Sequence, residues 1–336
     1  MKEILNHLIE HKTLNKEQAK GVLKEMTSGE VNQSQMAAFL TIFMMRSVRV
    51  EELMGFREAM LERCIPVNIP EYDAIDLCGT GGDGKDTFNI STLASFIVAG
   101  AGQPVAKHGN VGVSSVCGSS NLLAHFGYEF TNDVDEIKRS LDRAGICFLH
   151  APLFHPAMKH IGPVRKELGV KTFFNMLGPM VNPSFPKKQL VGVFSLELAR
   201  LYGYLYQNND VRFSILHSLD GYDEISLTGD LKWISNAGEQ VVNPQGLGFE
   251  TVSPEAIIGG ATVEESAKIF TDILQGKGSP AQEAVVIANA AAALLTSKPE
   301  WTFQKAREMA TETLKNGTAL KVFKKMIDPQ TSITTH

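Results

Sequence analysis

The chain has 336 residues, 43% hydrophobic and 21% charged, the composition of an ordinary soluble globular protein with length for one large domain or two. Its net charge of −5 argues against a nucleic-acid binder, and no segment approaches the roughly 18 unbroken apolar residues that span a bilayer. Cys64, Cys78, Cys117 and Cys147 lie far apart with no Cys-x-x-Cys or Cys/His cluster, so they read as reduced, buried thiols of a cytoplasmic protein.

Residues 1 to about 63 read as helical throughout. The opening MKEILNHLIEHKTLN has an apolar face at Leu5, Leu8 and Ile9 among acidic residues, unlike a signal peptide. Further helices are predicted over 15–27, 34–46 and 50–63, that over 34–46 carrying Met36, Phe39, Leu40, Phe43 and Met44. Pro66 and Pro70 then mark a linker. From Tyr72 strands and helices alternate, the pattern of a parallel α/β sheet. Strands are predicted at 72–78, 104–107, 146–150, 189–194, 211–217 and 224–228, with helices at 90–101, 119–126, 133–144 and 196–207. Three more helices are expected over 262–275, 280–297 and 302–325, the second packing closely through its alanine run at 290–293.

The segment 156–183 interrupts this alternation. It is rich in Gly and Pro and cationic at Lys159, His160, Arg165, Lys166 and Lys171, so it reads as a hinge or a ligand-facing excursion. The expected organisation is a helical domain over 1–70, joined by part of 156–183, and an α/β domain over 71–336. Its two connections, near 64–71 and within 156–183, contain the prolines and glycines that a hinge rotation uses.

The most informative stretch is Gly79-Thr80-Gly81-Gly82-Asp83-Gly84-Lys85-Asp86, between a predicted strand and the helix that Asn89, Ser91 and Thr92 begin. Glycines leave backbone amides uncovered, and a helix start adds more, so the ligand expected here is a phosphate or diphosphate. Lys85 is followed by Asp86, which excludes a Walker loop. The dinucleotide fingerprint does fit Gly79 to Gly84, but Asp83 would repel a pyrophosphate unless a cation lay between them. A second loop, Lys107-His108-Gly109-Asn110, leaves the next strand and runs through Gly112, Ser114, Ser115, Gly118, Ser119 and Ser120 into a helix. Its lysine, hydroxyls and amides suit a phosphate monoester. Asp223-Glu224 follows a later strand. Adjacent acids on an extended segment point to opposite sides, so they can serve two Mg²⁺ ions, or one directly and one through water. No nucleophile arrangement or acid/base pair is identifiable.

These motifs, together with Asn89-Ile90-Ser91-Thr92, His155-Pro156-Ala157-Met158-Lys159-His160, Arg165-Lys166-Glu167-Leu168-Gly169, Phe174-Asn175-Met176-Leu177-Gly178-Pro179 and Gly221-Tyr222-Asp223-Glu224-Ile225, resemble those of the anthranilate phosphoribosyltransferases. The resemblance runs almost end to end. It implies a nucleoside phosphorylase/phosphoribosyltransferase-like fold: a small helical domain and a large α/β domain with a mostly parallel central sheet. It implies transfer of phosphoribosyl from phosphoribosyl pyrophosphate to the amine of anthranilate, two Mg²⁺ ions per monomer, a homodimer, and neither nucleic acid nor membrane as partner.

By the same resemblance, Gly79, Gly82, Asp83, Thr87, Asn89, Ile90, Ser91 and Thr92 would hold the diphosphate and ribose end of the donor. Lys107, His108, Gly109, Asn110, Val111, Gly112, Val113, Ser114, Ser115 and Ser119 would hold its phosphoribosyl group. Gly79, Asn110, His155 and Arg165 would face anthranilate, Arg165 meeting its carboxylate. Ser91 and Glu224 would ligate one Mg²⁺, and Asp223 with Glu224 the other. Two positions depart from the family pattern: Val111 stands where arginine is usual, and Asn121 ends a Gly118-Ser119-Ser120-Asn121 run that usually ends in Asp. A pyrimidine nucleoside phosphorylase of the same fold is the nearest rival, and it would not need Asp223-Glu224. A non-catalytic nucleic-acid-binding relative would need a basic groove, which the net charge opposes.

Overall fold

A computed structural model describes residues 1–112, 116–207 and 209–328. The chain divides into two compact units, 1–67 with 151–185, and 68–150 with the chain from 186 onward.

In the first unit the helices Lys2–Ile9, Lys16–Ser28, Gln33–Met45 and Val50–Glu62 are joined by short pieces from 151–185, among them Gly162–Leu168 and Phe174–Leu177. Asn15 and Asn32 cap the second and third helices by accepting from the amides of Gln18 and Gln35. The returning segment is part of this unit's core. Phe173 stacks on Phe56 at 4.4 Å and meets Phe39 and Phe43 edge-on. Backbone bonds from Ile65 to Phe154 and from Val67 to Pro183 tie it to the helices. This explains why 156–183 reads as foreign to the strand–helix alternation: its apolar residues belong to the helical unit.

The second unit is built on a seven-stranded sheet: β1 (Ile75–Gly79), β2 (Val105–Gly109), β3 (Ile146–His150), β4 (Lys188–Gly192), β5 (Arg212–Ser218), β6 (Leu231–Ser235) and β7 (Gly238–Val242). The spatial order is β3-β2-β1-β4-β5-β6-β7, parallel from β3 to β5 and antiparallel beyond. The helix Pro280–Ser297 is buried along most of its length, including Ala290, Ala291, Ala292 and Ala293, and packs on the helix Ile90–Gly100.

Three expectations need correction. The first strand starts at Ile75, after a 3₁₀ turn at Pro70–Tyr72 and a left-handed Asp73. The helix expected over 302–325 is two, Phe303–Lys315 and Thr318–Ile327, because Gly317 turns the chain at φ +77°. Residues 224–228 are not a strand. The Asn289 side chain takes both backbone groups of Ile225, accepting from its amide at 3.1 Å and donating to its carbonyl at 2.9 Å, and Leu227 has a positive φ. The β6–β7 hairpin lies outside the strands expected from sequence, because β7 is exposed from Gly238 to Val241 and shows no apolar alternation.

Candidate functional site

From β1 the chain steps outward through β2 to β3, then returns to the other side of β1 for β4 and β5. The reversal of order falls between β1 and β4, and ligands of open α/β sheets bind at the carboxyl ends of strands flanking such a point. There Gly79 stands opposite Gly192 in register. The two glycines form a notch that Asp223 fills. A Cβ on Gly79 would lie 2.4 Å from Asp223 Oδ2, and one on Gly192 would lie 1.4 Å from the Asp223 carbonyl oxygen.

The glycine loop closes over the same acid. Gly81 has φ +65°, a conformation glycine adopts without strain, and its amide donates to Asp223 Oδ2 at 2.6 Å. The sequence reading expects this amide to meet an anion; the anion it meets is the protein's own carboxylate. Glu224 diverges from Asp223, its Oε1 accepting from Thr87 Oγ1 at 2.7 Å. Behind the pair, Ser218 Oγ donates to the Glu224 carbonyl at 2.6 Å, and Asn289 holds Ile225. On its outer side Lys85 Nζ lies 4.7 Å from the centre of the Tyr222 ring.

Three carboxylates therefore gather at one place. Burial, then the Asp83 charge, pushes Asp223 up to about 7. Burial and then the Asp223 charge push Glu224 well above the usual carboxylate range. Asp83 Oδ1 accepts from the Lys85 amide at 3.1 Å, while its Oδ2 is buried with no hydrogen-bond partner among the described residues. An orphaned buried carboxylate oxygen beside two more acids fits a cation. Among the described residues no three His, Cys, Asp or Glu side chains form a ready-made metal cage. The acids can thus supply only part of a coordination shell, which suits Mg²⁺ completed by phosphates and water.

The second loop adjoins the first. Asn89 does not cap the helix Ile90–Gly100; its Nδ2 donates to the Cys117 carbonyl at 2.8 Å and ties the two loops together. Ile90 and Thr92 are buried in the core, so at this helix start only their backbone is on offer. Lys107 is 2% exposed. Its Nζ donates to the Leu77 carbonyl and, at 3.3 Å, to Ser91 Oγ, without an ion pair among the described residues. Burial lowers its pKa, against the charges of Cys78, Asp76 and Glu224.

His108 is also buried, and its amide donates to Asp76 Oδ1. Gly109 leaves room for Ser119 Oγ and the Phe148 ring, each 2.5 Å from a Cβ built there. Asn110 is exposed; its carbonyl accepts from the Ser120 amide and Ser119 Oγ, and its side chain from the Val111 amide. Asn121 Oδ1 accepts from both Gly112 and Gly118, pinching the loop's ends together. Val111 is 46% exposed. Val113, Ser114 and Ser115 lie outside the described residues.

The four residues implied for the acceptor are divided between the units: Gly79 and Asn110 in the second, His155 and Arg165 in the first. His155 is buried, and its Nε2 donates to the Val181 carbonyl at 2.9 Å. Burial lowers its pKa to about 4, so it is neutral at pH 7. Arg165 is partly buried, lies over the Phe174 ring and makes no ion pair among the described residues.

Sequence reasoning missed Gly192, Ser218 and Asn289. A lone asparagine inside the apolar run from Val285 to Leu294 is the signal that marks Asn289; nothing local marks Gly192 or Ser218.

Residues 71–320 match the glycosyl transferase family a/b domain, and residues 2–64 match the helical bundle domain of that family. The chain is 61% identical to the anthranilate phosphoribosyltransferase of Flavobacterium johnsoniae, over 97% of this chain and 98% of that one. Among solved structures it superposes on the enzyme of that name from Thermus thermophilus with a TM-score of 0.89 at 31% identity, covering 96% of this chain and 98% of that one. The Saccharomyces cerevisiae counterpart, solved in complex with PRPP and Mg, gives a TM-score of 0.90 at 25% identity, covering 98% of this chain and 97% of that one.

Proposed function

This chain belongs to the anthranilate phosphoribosyltransferase family, and from that premise we propose how its residues divide the work. The reaction moves the phosphoribosyl group of 5-phosphoribosyl 1-pyrophosphate onto the amine of anthranilate. It yields N-(5-phosphoribosyl)anthranilate and pyrophosphate, a step of L-tryptophan biosynthesis that uses Mg²⁺.

The observation that carries the assignment is the Gly79–Gly192 notch, which seats Asp223 against the glycine loop at the sheet's switch point. The diphosphate end of the donor lies over Gly79 to Asp83, Thr87 and the helix start at Asn89 to Thr92. The phosphoribosyl end lies along Lys107 to Ser115 and Ser119. Because Gly81 already faces a carboxylate, a diphosphate approaches Asp223 and Asp83 only with cations between them. We assign two, one to Ser91 and Glu224 and one to Asp223 and Glu224; the orphaned Asp83 oxygen supports a cation-rich site. Bound Mg²⁺ neutralises the departing diphosphate.

The chain's own contributions are position and charge. Lys107 offers a buried cation to phosphate, where water screens it little. The amine of anthranilate carries no excess proton at pH 7, so alignment with C1 of the ribose does the work of a base. Arg165 takes the acceptor's carboxylate through paired, planar contacts. Its test is Arg165→Ala. Following the fluorescence of anthranilate as it is consumed, KM for anthranilate should rise roughly 10- to 100-fold, the loss of charge-assisted bonds worth about 1.5–3 kcal/mol. KM for phosphoribosyl pyrophosphate should stay unchanged; equal effects on both substrates would remove Arg165 from the acceptor site.

Val111 supports a narrower prediction. An arginine there would add a cation beside the loop given to the phosphoribosyl group, and the exposure of Val111 leaves room for one. Val111→Arg should lower KM for phosphoribosyl pyrophosphate by up to about tenfold, one charge-assisted contact, and leave KM for anthranilate in place. A loss of thermal stability with no gain in donor binding would defeat it.

We further assign a homodimer formed through the helical unit. The helices Lys2–Ile9 and Gln33–Met45 pack together and expose Ile9, Met44 and Met45, with Met45 83% exposed. Four unbridged cysteines agree with a reducing, cytoplasmic setting.

A further inference from the structure

Arg165 closes the last turn of the helix Gly162–Leu168, its carbonyl accepting from the amide of Gly169 at 3.2 Å. Its guanidinium carbon lies 5.2 Å from the centre of the Phe174 ring. Phe174 stacks on Phe173 at 4.6 Å and 24°, and Phe173 stacks on Phe56 at 4.4 Å and 20°. The cation is thus the end of a three-ring column whose inner members, Phe173 and Phe56, are fully buried. A column anchored in the core fixes one face of a planar guanidinium and leaves its edge to be oriented.

Asn175 orients that edge. Arg165 Nη2 donates to Asn175 Oδ1 at 3.4 Å, and the same oxygen accepts from the Thr172 amide at 3.1 Å. The Asn175 amide donates back to the Thr172 carbonyl at 3.0 Å, so the side chain is held by its own turn. This partner is neutral. Among the described residues no acid pairs with Arg165, and burial alone disfavours its charge.

We infer that Asn175 is a positioning residue that aims the Arg165 guanidinium at the acceptor's carboxylate while leaving its positive charge uncompensated, and so sets the enzyme's preference for an anionic acceptor. The inference rests on the reading that Arg165 meets that carboxylate. Aspartate at 175 would keep the shape and the bond from Thr172 but bring its own counter-ion. The substrate's carboxylate would then compete with an internal one for the same cation, and would do so close to a like charge.

The test uses the full chain with saturating Mg²⁺, in wild type, Asn175→Asp, Asn175→Ala, Arg165→Ala and the Arg165→Ala/Asn175→Asp double variant. Asn175→Asp should raise KM for anthranilate roughly tenfold or more, the loss of one charge-assisted contact, with kcat and KM for phosphoribosyl pyrophosphate unchanged. Asn175→Ala, which frees the edge but adds no charge, should raise the same KM less. In the double variant Asn175→Asp should add nothing beyond Arg165→Ala, since it acts only through that cation. A merely structural asparagine would lower the melting temperature without splitting the two KM values, and that result overturns the inference. So does an Asn175→Ala effect equal to that of Asn175→Asp; if the aspartate variant does not fold, an Asn175→Ala enzyme with an unchanged KM for anthranilate overturns it instead. If Arg165→Ala raises KM for anthranilate and Asn175→Asp does not, only the inference falls. If neither does, the assignment of Arg165 to the carboxylate falls with it.

Discussion

Asp223→Asn combined with Glu224→Gln is expected to lower kcat by roughly 100-fold or more, the effect of removing about 3 kcal/mol of charge stabilisation at the leaving group. The reason lies in the placement of the pair. Asp223 is seated between Gly79 and Gly192, and Glu224 is anchored by Thr87 in front and Ser218 behind, so neither carboxylate needs to be gathered when a cation arrives. Both replacements keep shape and one acceptor oxygen, so the fold should survive. Wild-type turnover persisting in excess EDTA would remove the metal role.

The same pair makes a pH prediction. Burial raises both pKa values, Asp223 to about 7 and Glu224 well above the usual carboxylate range, so the folded protein binds these protons more tightly than the unfolded chain does. Stability from this source is fully present below the ordinary carboxylate range and is lost as pH rises from that range through about 7. Melting temperature without Mg²⁺ should therefore fall over that window, and the double variant should flatten the fall. Added Mg²⁺ should oppose it, by binding the ionised pair. A pH profile identical in wild type and double variant would contradict the assignment.

Gly192→Ala should be the most disruptive single methyl group in the second unit. Its Cβ would lie 1.4 Å from the carbonyl oxygen of Asp223 and 2.4 Å from its carbonyl carbon, both backbone atoms that cannot rotate away. The segment carrying both acids must then lift from the notch, breaking the Gly81–Asp223 and Asn289–Ile225 bonds. The cost belongs at the upper end of overpacking effects, about 3 kcal/mol, and Mg²⁺-dependent turnover should go with it. Gly21→Ala is the contrast. A Cβ there meets nothing within 4 Å and sits inside the helix Lys16–Ser28, so it should stabilise by about 0.5–1 kcal/mol. Melting temperature and kcat measured on both variants separate the two cases. A Gly192→Ala enzyme with normal turnover would show that the acids do not depend on the notch.

Much of this protein is written locally. The helices from Lys2 to Glu62 follow from apolar spacing and from caps such as Asn15 and Asn32, and five strands lie close to their apolar runs. Glycine spacing, a serine-rich loop and two adjacent acids marked the chemistry-bearing segments, because each is a composition that a phosphate or cation site needs at one place in the chain.

What the sequence alone determined was therefore the inventory: the elements, their order, and the residue types able to hold phosphate, cation and carboxylate. Which residues meet depends on contacts between distant parts of the chain. Gly79 faces Gly192 across 113 positions of chain because β4 joins β1 after the order reverses, and a glycine's purpose there is visible only when Asp223 fills the space. Residues 224–228 have the look of a strand, yet Asn289, 64 residues on, takes the Ile225 hydrogen bonds that a neighbouring strand would have used. The 156–183 segment reads as a hinge or a ligand-facing excursion because its core partners, Phe39, Phe43 and Phe56, lie more than a hundred residues earlier. In each case the deciding contact is distant in sequence, and periodicity and capping report only on neighbours within a few residues.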